Sequence, residues 1–233
     1  MSLSPASPYG TIYHYAAPML SAGAAIVLPF RYLMMKSELQ KGAFTPSRIT
    51  LLSGVKEGMR AAPSVGIIVG LQVSSQDWIE KEIVGLGKWY TKLASSTMVG
   101  ALSSLPLAIY NGYTMNQGWR DSCRNFSIKQ GAAITVQEAC FVLGVKGAGP
   151  VGEVMQEVFG KNAAVTYTAA FLSGGAGSLA GHFANTALTR WQAGLTVSPG
   201  QLMWGAKHKT WGVAWFALFY KLNSEFFEKR RPE

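Results

Sequence analysis

Four stretches of the chain are predominantly apolar and approach the roughly 20 residues that a helix needs to cross a bilayer. They cover residues 16–35, 93–115, 163–188 and 211–222, the last with its preceding turn. A shorter apolar run reaches Leu71 behind Pro63. None of the stretches is uniformly greasy. Small and polar residues recur within them, as expected of helices that bury small or polar faces against one another.

The pattern has a period. Gly23, Gly100 and Gly177 are separated by 77 residues and 77 again. The same spacing relates Tyr13, Tyr90 and Tyr167 before them, and Pro29, Pro106 and Phe183 after them. A long repeat of this kind is the signature of stacked supersecondary units. Each unit reads as an odd helix ending near the proline position, a polar connection, and a second apolar helix. The even helices are expected to carry residues 54–63, 144–150 and 205–212 at corresponding places, with kinks at Pro63 and Pro150. Prolines are tolerated in bilayer spans because neighbouring helices and polar groups satisfy the freed backbone. The predicted fold is therefore an all-α membrane protein of six transmembrane helices in three pseudo-repeated pairs. It forms a single domain over 1–233, with units near 10–78, 87–162 and 163–228.

Composition sharpens this. Hydrophobic residues make up 48% and charged residues only 14%, against about 25% charged in soluble domains. A mean hydropathy of +0.15 keeps a soluble, glycine-rich α protein as the competing reading. The net charge of +9 does not imply nucleic acid, because the basic residues are not gathered with aromatics on one segment. Cys123 and Cys140 have no metal-ligand spacing and read as inert thiols. Residues 1–9 show neither a secretory signal nor an Arg-rich presequence, so targeting information is expected to be internal.

Charge also sets an orientation. The connections within the three pairs, taken as 36–60, 120–146 and 190–209, hold 12 Lys/Arg against 4 Asp/Glu. By the positive-inside tendency, these connections face one compartment and both termini face the other.

Three units of odd helix, basic connection and even helix resemble the mitochondrial carrier family, over essentially the whole chain. The family signature, Pro-x-Asp/Glu-x-x-Lys/Arg-x-Lys/Arg and often Gln, is matched in part by Pro29 with Lys36, by Pro106, and by Phe183 with Arg190 and Gln192. The resemblance implies the inner mitochondrial membrane, with the connections in the matrix and the termini toward the intermembrane space. It also implies matrix-side ion pairs between units, but the acid positions hold Arg31, Ala108 and Asn185, and the basic positions hold Met34, Asn111 and Leu188. The opposite gate is degenerate as well, since Gly160 follows Phe159 and Lys221 follows Tyr220. The even-helix cavity positions are expected at Arg60, at Gly147 and Ala148, and at Lys209. Lys209 reads as a side chain snorkelling to the interface, and Arg60 as either a snorkelling residue or a cavity contact.

Two functions follow as expectations. The first is a carrier-derived, non-transporting structural or accessory subunit of an inner-membrane assembly, such as a respiratory complex or ATP synthase. Its partners would be other subunits and membrane lipids, with no nucleic acid. The second is a divergent carrier exchanging a small anionic metabolite, with Arg60 and Lys209 as substrate contacts. No enzyme grouping is readable, His14, His182 and His208 lie far apart, and no cofactor or metal is expected beyond a bound lipid such as cardiolipin. Gly177-x-x-x-Gly181 is a close-packing face, serving either the bundle or a partner. The segment 225–233 reads as an interfacial anchor or a grip on a neighbouring subunit.

Overall fold

The computed structural model describes residues 8–42, 49–83, 88–114 and 118–229. Among these there is no strand, and the fold is all-α. The helices are α1 (Pro8–Ile26), α2 (Phe30–Lys41), α3 (Leu51–Glu82), α4 (Lys88–Leu102), α5 (Ser104–Thr114), α6 (Trp119–Arg124), α7 (Ile128–Lys146), α8 (Ala148–Phe159), α9 (Ala163–Ala180), α10 (His182–Gln192) and α11 (Ala206–Glu228).

The three long odd runs predicted from hydropathy are each broken. The first bends by 66° between Ile26 and Phe30, and the second by 51° between Leu102 and Ser104. The third breaks at Gly181. Pro29 and Pro106 lack the N–H that would continue the ladder. The third break survives with Phe183 in the proline's place, so proline is not its only cause. Among the described residues no single helix is both long and apolar enough to cross a membrane; the first two bent runs meet that length and composition only as pairs.

Counting each bent run as one rod, six rods close into a ring. α1 packs on α3, α3 on α4, α4 on α7, α7 and α8 on α9, and α9 on α11, which returns to α1 and α2. The ring holds together through small residues rather than large ones. On α3, Gly54, Gly58, Ala62, Gly66 and Gly70 recur every four residues. They face Met19, Gly23, Val27 and Arg31, which also recur every four. A Cβ on Gly54 would stand 2.5 Å from that of Arg31, and one on Gly66 would stand 2.6 Å from the Met19 carbonyl oxygen. Backbones this close gain dispersion and Cα–H contacts that larger side chains would prevent.

The repeated glycines serve this packing, but not all on the same face. Gly23 meets α3 at Ala62 and Gly66, and Gly100 meets α7 at Thr135 and Ala139. Gly177 turns to Cys140 and Gly144 of α7, in the preceding pair, while Gly174 and Gly175 take over the contact with α11. Gly181 also faces α7, at Gln137 and Cys140. The Gly177-x-x-x-Gly181 face is thus consumed inside the bundle.

The expected register of the even helices fails in the second pair. Gly54 lies in the first turn of α3 and Gly205 precedes α11, whereas Gly144 lies two residues before the end of α7. The helix begins far upstream because the Ser127 side chain caps it, accepting from Gln130 N at 3.3 Å. Lys146 therefore sits at the opposite end from the basic connections, paired with Asp77 of α3. Pro63 lies inside an unbroken α3. Pro150 occupies the first turn of α8, where its missing N–H has no intrahelical acceptor to lose.

The connections differ in what they hold. The third contains only a 3₁₀ turn, Pro199–Gln201, and the second holds the six-residue α6. In the first, residues 43–48 lie outside the described set, as do 116–117 of the second. At the other end, the repeated tyrosines Tyr13 and Tyr167 donate to α11, to the Phe227 carbonyl and to Glu225 at 2.9 Å. Tyr90 is exposed. The C-terminal grip is therefore made at least in part within the chain; residues 230–233 lie outside the described set.

Candidate functional site

The ring encloses a cavity of about 1130 Å³. Its exposed rim carries two acid–base pairs, each on one helix: Lys41 with Glu38 at 3.8 Å on α2, and Arg60 with Glu57 at 2.7 Å on α3. Its wall carries the buried Lys36 of α2, Gln72 of α3, Glu138 of α7, Asn185 of α10 and Lys209 of α11, with the half-buried Gln137 of α7. Ile26, Val69, Phe141 and Phe216 supply an apolar floor, where the Phe141 and Phe216 rings lie 5.8 Å apart.

The two cations expected to face a cavity have exchanged places. Arg60 is exposed at the rim and bound to Glu57, so it is no central contact. Lys209 is 7% exposed on the inner wall, so it does not snorkel. The first turn of α11 begins at Gly205, whose positive φ of 79° suits glycine. A Cβ there would stand 3.0 Å from the Lys36 carbonyl oxygen, and this close approach sets the start of α11 against α2. The second pair contributes Gln137 and Glu138 rather than Gly147 and Ala148. Gly147 lies at the break between α7 and α8, against the Ser173 hydroxyl.

Several signature residues converge at the end of the ring where the connections lie, in a network of amides and carbonyls that reaches one carboxylate, Glu138, through Gln137. Lys36 Nζ donates to Asn185 Oδ1 at 2.9 Å. Gln40 Nε2 donates to the same oxygen at 3.3 Å and to Thr186 Oγ1 at 2.8 Å. Asn185 Nδ2 donates in turn to Gln137 Oε1 at 2.5 Å. Arg190, buried, donates to the carbonyls of Gln40 at 2.9 Å and Thr196 at 2.7 Å, and its guanidinium lies 5.5 Å from the Trp204 ring centroid. Gln192 reaches the Ala108 carbonyl at 3.2 Å, tying the third odd rod to the second. His182, fully buried, shares its Nε2 with the Trp204 carbonyl and Thr186 Oγ1. Beneath the network, Leu107, Ala108, Ile134, Ala184 and Leu188 form an apolar cluster.

Arg31 is placed differently. It lies against Gly54 and lines an outer groove with Lys207, His208, Trp211 and Trp215. The first acid position of the signature thus points away from the cavity in this chain, whereas the second, Ala108, joins units through its carbonyl and the third, Asn185, through its side chain. Pro29 is fully buried, while Pro106 and Phe183 are exposed.

Glu138, Gln72 and Gln40 were not singled out by sequence reasoning. Glu138 had a legible signal, being the only charged residue between Lys129 and Lys146 in an otherwise apolar helix. The glutamines had none, because an amide reads alike on a surface and in a buried network. Among the described residues no group of His, Cys, Asp and Glu is arranged to hold a metal. Comparison with known proteins finds no matching family model, no matching curated protein and no matching solved structure.

Proposed function

We propose that this chain is a six-span protein of the inner mitochondrial membrane that no longer transports. It serves as a structural or accessory subunit of a larger complex there, such as a respiratory complex or ATP synthase. The observation that carries the reading is the Lys36–Asn185–Gln40 junction. Where the resembled family needs an acid–base pair that breaks in each cycle, this chain has a neutral amide with partners on α2 and α7. Alternating access requires two closed arrangements of comparable energy. A buried network in which one amide serves several partners favours a single arrangement.

The outer surface supports a membrane setting. Leu20, Ile67, Leu93, Leu172 and Leu179 are exposed, which would be costly in water and is ordinary against lipid. Trp119, Trp191 and Trp204 are exposed toward the connection end, with Trp78 and Tyr90 toward the other. Such aromatics sit at the two membrane interfaces. α3, at 32 residues, is about 48 Å long, enough to cross with both ends in the headgroups. The connections are assigned to the matrix side, where the third, with only a 3₁₀ turn, leaves room for neighbouring subunits.

The test is isolation under mild detergent. A fixed stoichiometry with other inner-membrane subunits is the expected result. Robust exchange of metabolites by the isolated chain in liposomes would overturn it and favour the second reading, a divergent carrier of a small anionic metabolite. That reading draws its support from one feature, the buried Lys209 on the cavity wall.

A further inference from the structure

Arg31, at the first acid position of the signature, is a cation that the fold leaves without a partner. It makes no hydrogen bond or ion pair among the described residues, and its Nε is buried. Only its stem is used, packed on Gly54 of α3. A half-buried guanidinium with no acceptor is costly. Its planar fork is the donor best matched to a carboxylate.

Arg31 lines a groove of about 360 Å³ between α2 and α11, on the outside of the ring. Lys207, exposed and also unpaired, lines it from the first turn of α11. Gly54 and Lys207 both lie in first turns, so the charged end of the groove is at the connection end. Trp211 and Trp215 continue the α11 wall inward, opposite Tyr32 and Met35 of α2. The indoles are held from behind. Both meet Phe171 edge-on, at 5.6 and 5.3 Å, and Trp215 stacks on Phe219 at 5.6 Å. Neither indole N–H has an acceptor among the described residues. No Asp or Glu lines the groove, so it offers cations and N–H donors without an anion.

We infer that this groove seats one helix of a neighbouring subunit that carries an Asp or Glu near its connection-side end, an inference that rests on the structural-subunit reading. Rigid Arg, Trp, Tyr and Met side chains around a pocket are the residue types that carry binding energy at protein interfaces. Lys207 and Trp215 are eight positions apart, about 12 Å along the α11 axis. A lipid phosphate occupies one level of the bilayer, so it would meet Arg31 and Lys207 and leave both indoles facing acyl chains. A helix laid beside α11 serves the whole row. Its carboxylate meets the two cations, and oxygen acceptors one and two turns deeper meet the indole N–H groups. A basic face would be repelled, and an uncharged one would leave both cations uncompensated.

The experiment uses the full chain in its own membranes, in cells where each variant replaces the natural copy, followed by extraction in mild detergent. Arg31→Glu should lower the share of the chain found in the large complex at least about tenfold. Arg31→Lys, which keeps the charge and loses the fork, should lower it less. Leu93→Ala, on the outer face of α4, should leave it unchanged. The isolated Arg31→Glu chain should unfold at the natural temperature, because the guanidinium bonds to nothing within the chain, and this separates loss of docking from misfolding. Benzoylphenylalanine in place of Met35 should, on illumination, join one polypeptide of the complex at a peptide with an Asp or Glu within one helical turn. Changing that acid to Lys should restore the Arg31→Glu chain to the complex. Adducts on phospholipid alone, a joined peptide without an acid, an Arg31→Glu chain that stays in the complex, or an exchange that restores nothing overturns the site and leaves the subunit reading standing. A natural chain that migrates alone overturns both.

Discussion

The Lys36 ammonium donates to the Asn185 side-chain oxygen at 2.9 Å across 149 positions of sequence, joining the first odd rod to the third. Both residues stand in the signature segments, yet the bond they form is charge to amide, not charge to charge. Its energetics differ accordingly. An ion pair in a cavity can open toward water and be solvated on both sides, whereas this amide is buried and serves Gln40 and Gln137 as well.

Replacing Asn185 with Ala removes the acceptor of a buried ammonium and leaves the Gln40 and Gln137 amides short of partners. We expect a loss of about 2 kcal/mol, read as a lowered unfolding temperature in detergent. Asn185→Asp keeps the acceptor and adds charge, and should hold or raise stability. Equal stability of the Ala variant and the natural chain would show that the junction is not a structural tie.

The α1–α3 seam depends on the absence of side chains. Gly66→Leu cannot be accommodated without moving α1, because even a Cβ would press on the Met19 carbonyl. Overpacking of this kind costs about 1–3 kcal/mol. Gly149→Ala, with nothing within 4 Å of the added carbon, should change stability by less than about 0.5 kcal/mol. Paired denaturation curves in one detergent decide this.

At the far end, Asp77 and Lys146 join α3 to α7, both partly exposed. Screening keeps such a pair to about 1 kcal/mol or less. Asp77→Lys or Lys146→Asp alone should destabilise slightly, and the double exchange should restore most of the loss in a double-mutant cycle.

Tyr13 and Tyr167 hold the last turns of α11. Changing each to Phe should loosen that end and expose it to limited proteolysis. Tyr90→Phe should be silent, since that side chain is exposed.

Cys123 on α6 is exposed, and Cys140 is packed among Gly177 and Gly181 on α7. A membrane-impermeant maleimide should label Cys123 only after the inner membrane is opened, and should leave Cys140 unmodified in the folded chain. Labelling of Cys123 from the intermembrane side would reverse the proposed orientation.

Much of the architecture was legible because it is local. Apolar runs of helical length, glycines and tyrosines at one spacing, and prolines that interrupt a ladder act through residues near them in sequence. The all-α fold and breaks close to the 77-residue period follow from these. The register of the second even helix did not, because Gly144 to Pro150 resembles Gly54 to Pro63 only as a string. Where α7 starts is decided by the Ser127 cap, far upstream.

The sequence by itself determined that helices form, roughly where they break, and that no carboxylate stands at the three signature acid positions. The tertiary structure alone decided which charges face inward. Arg60 and Lys209 are both basic residues near the start of an even helix. The rotation of α3, set by its glycine stripe against α1, leaves Arg60 on the rim beside Glu57. The approach of Gly205 to Lys36 instead lays the first turn of α11 against α2 and leaves Lys209 buried opposite Glu138. Burial of a charge depends on what other rods bring to its face, and no local pattern encodes that.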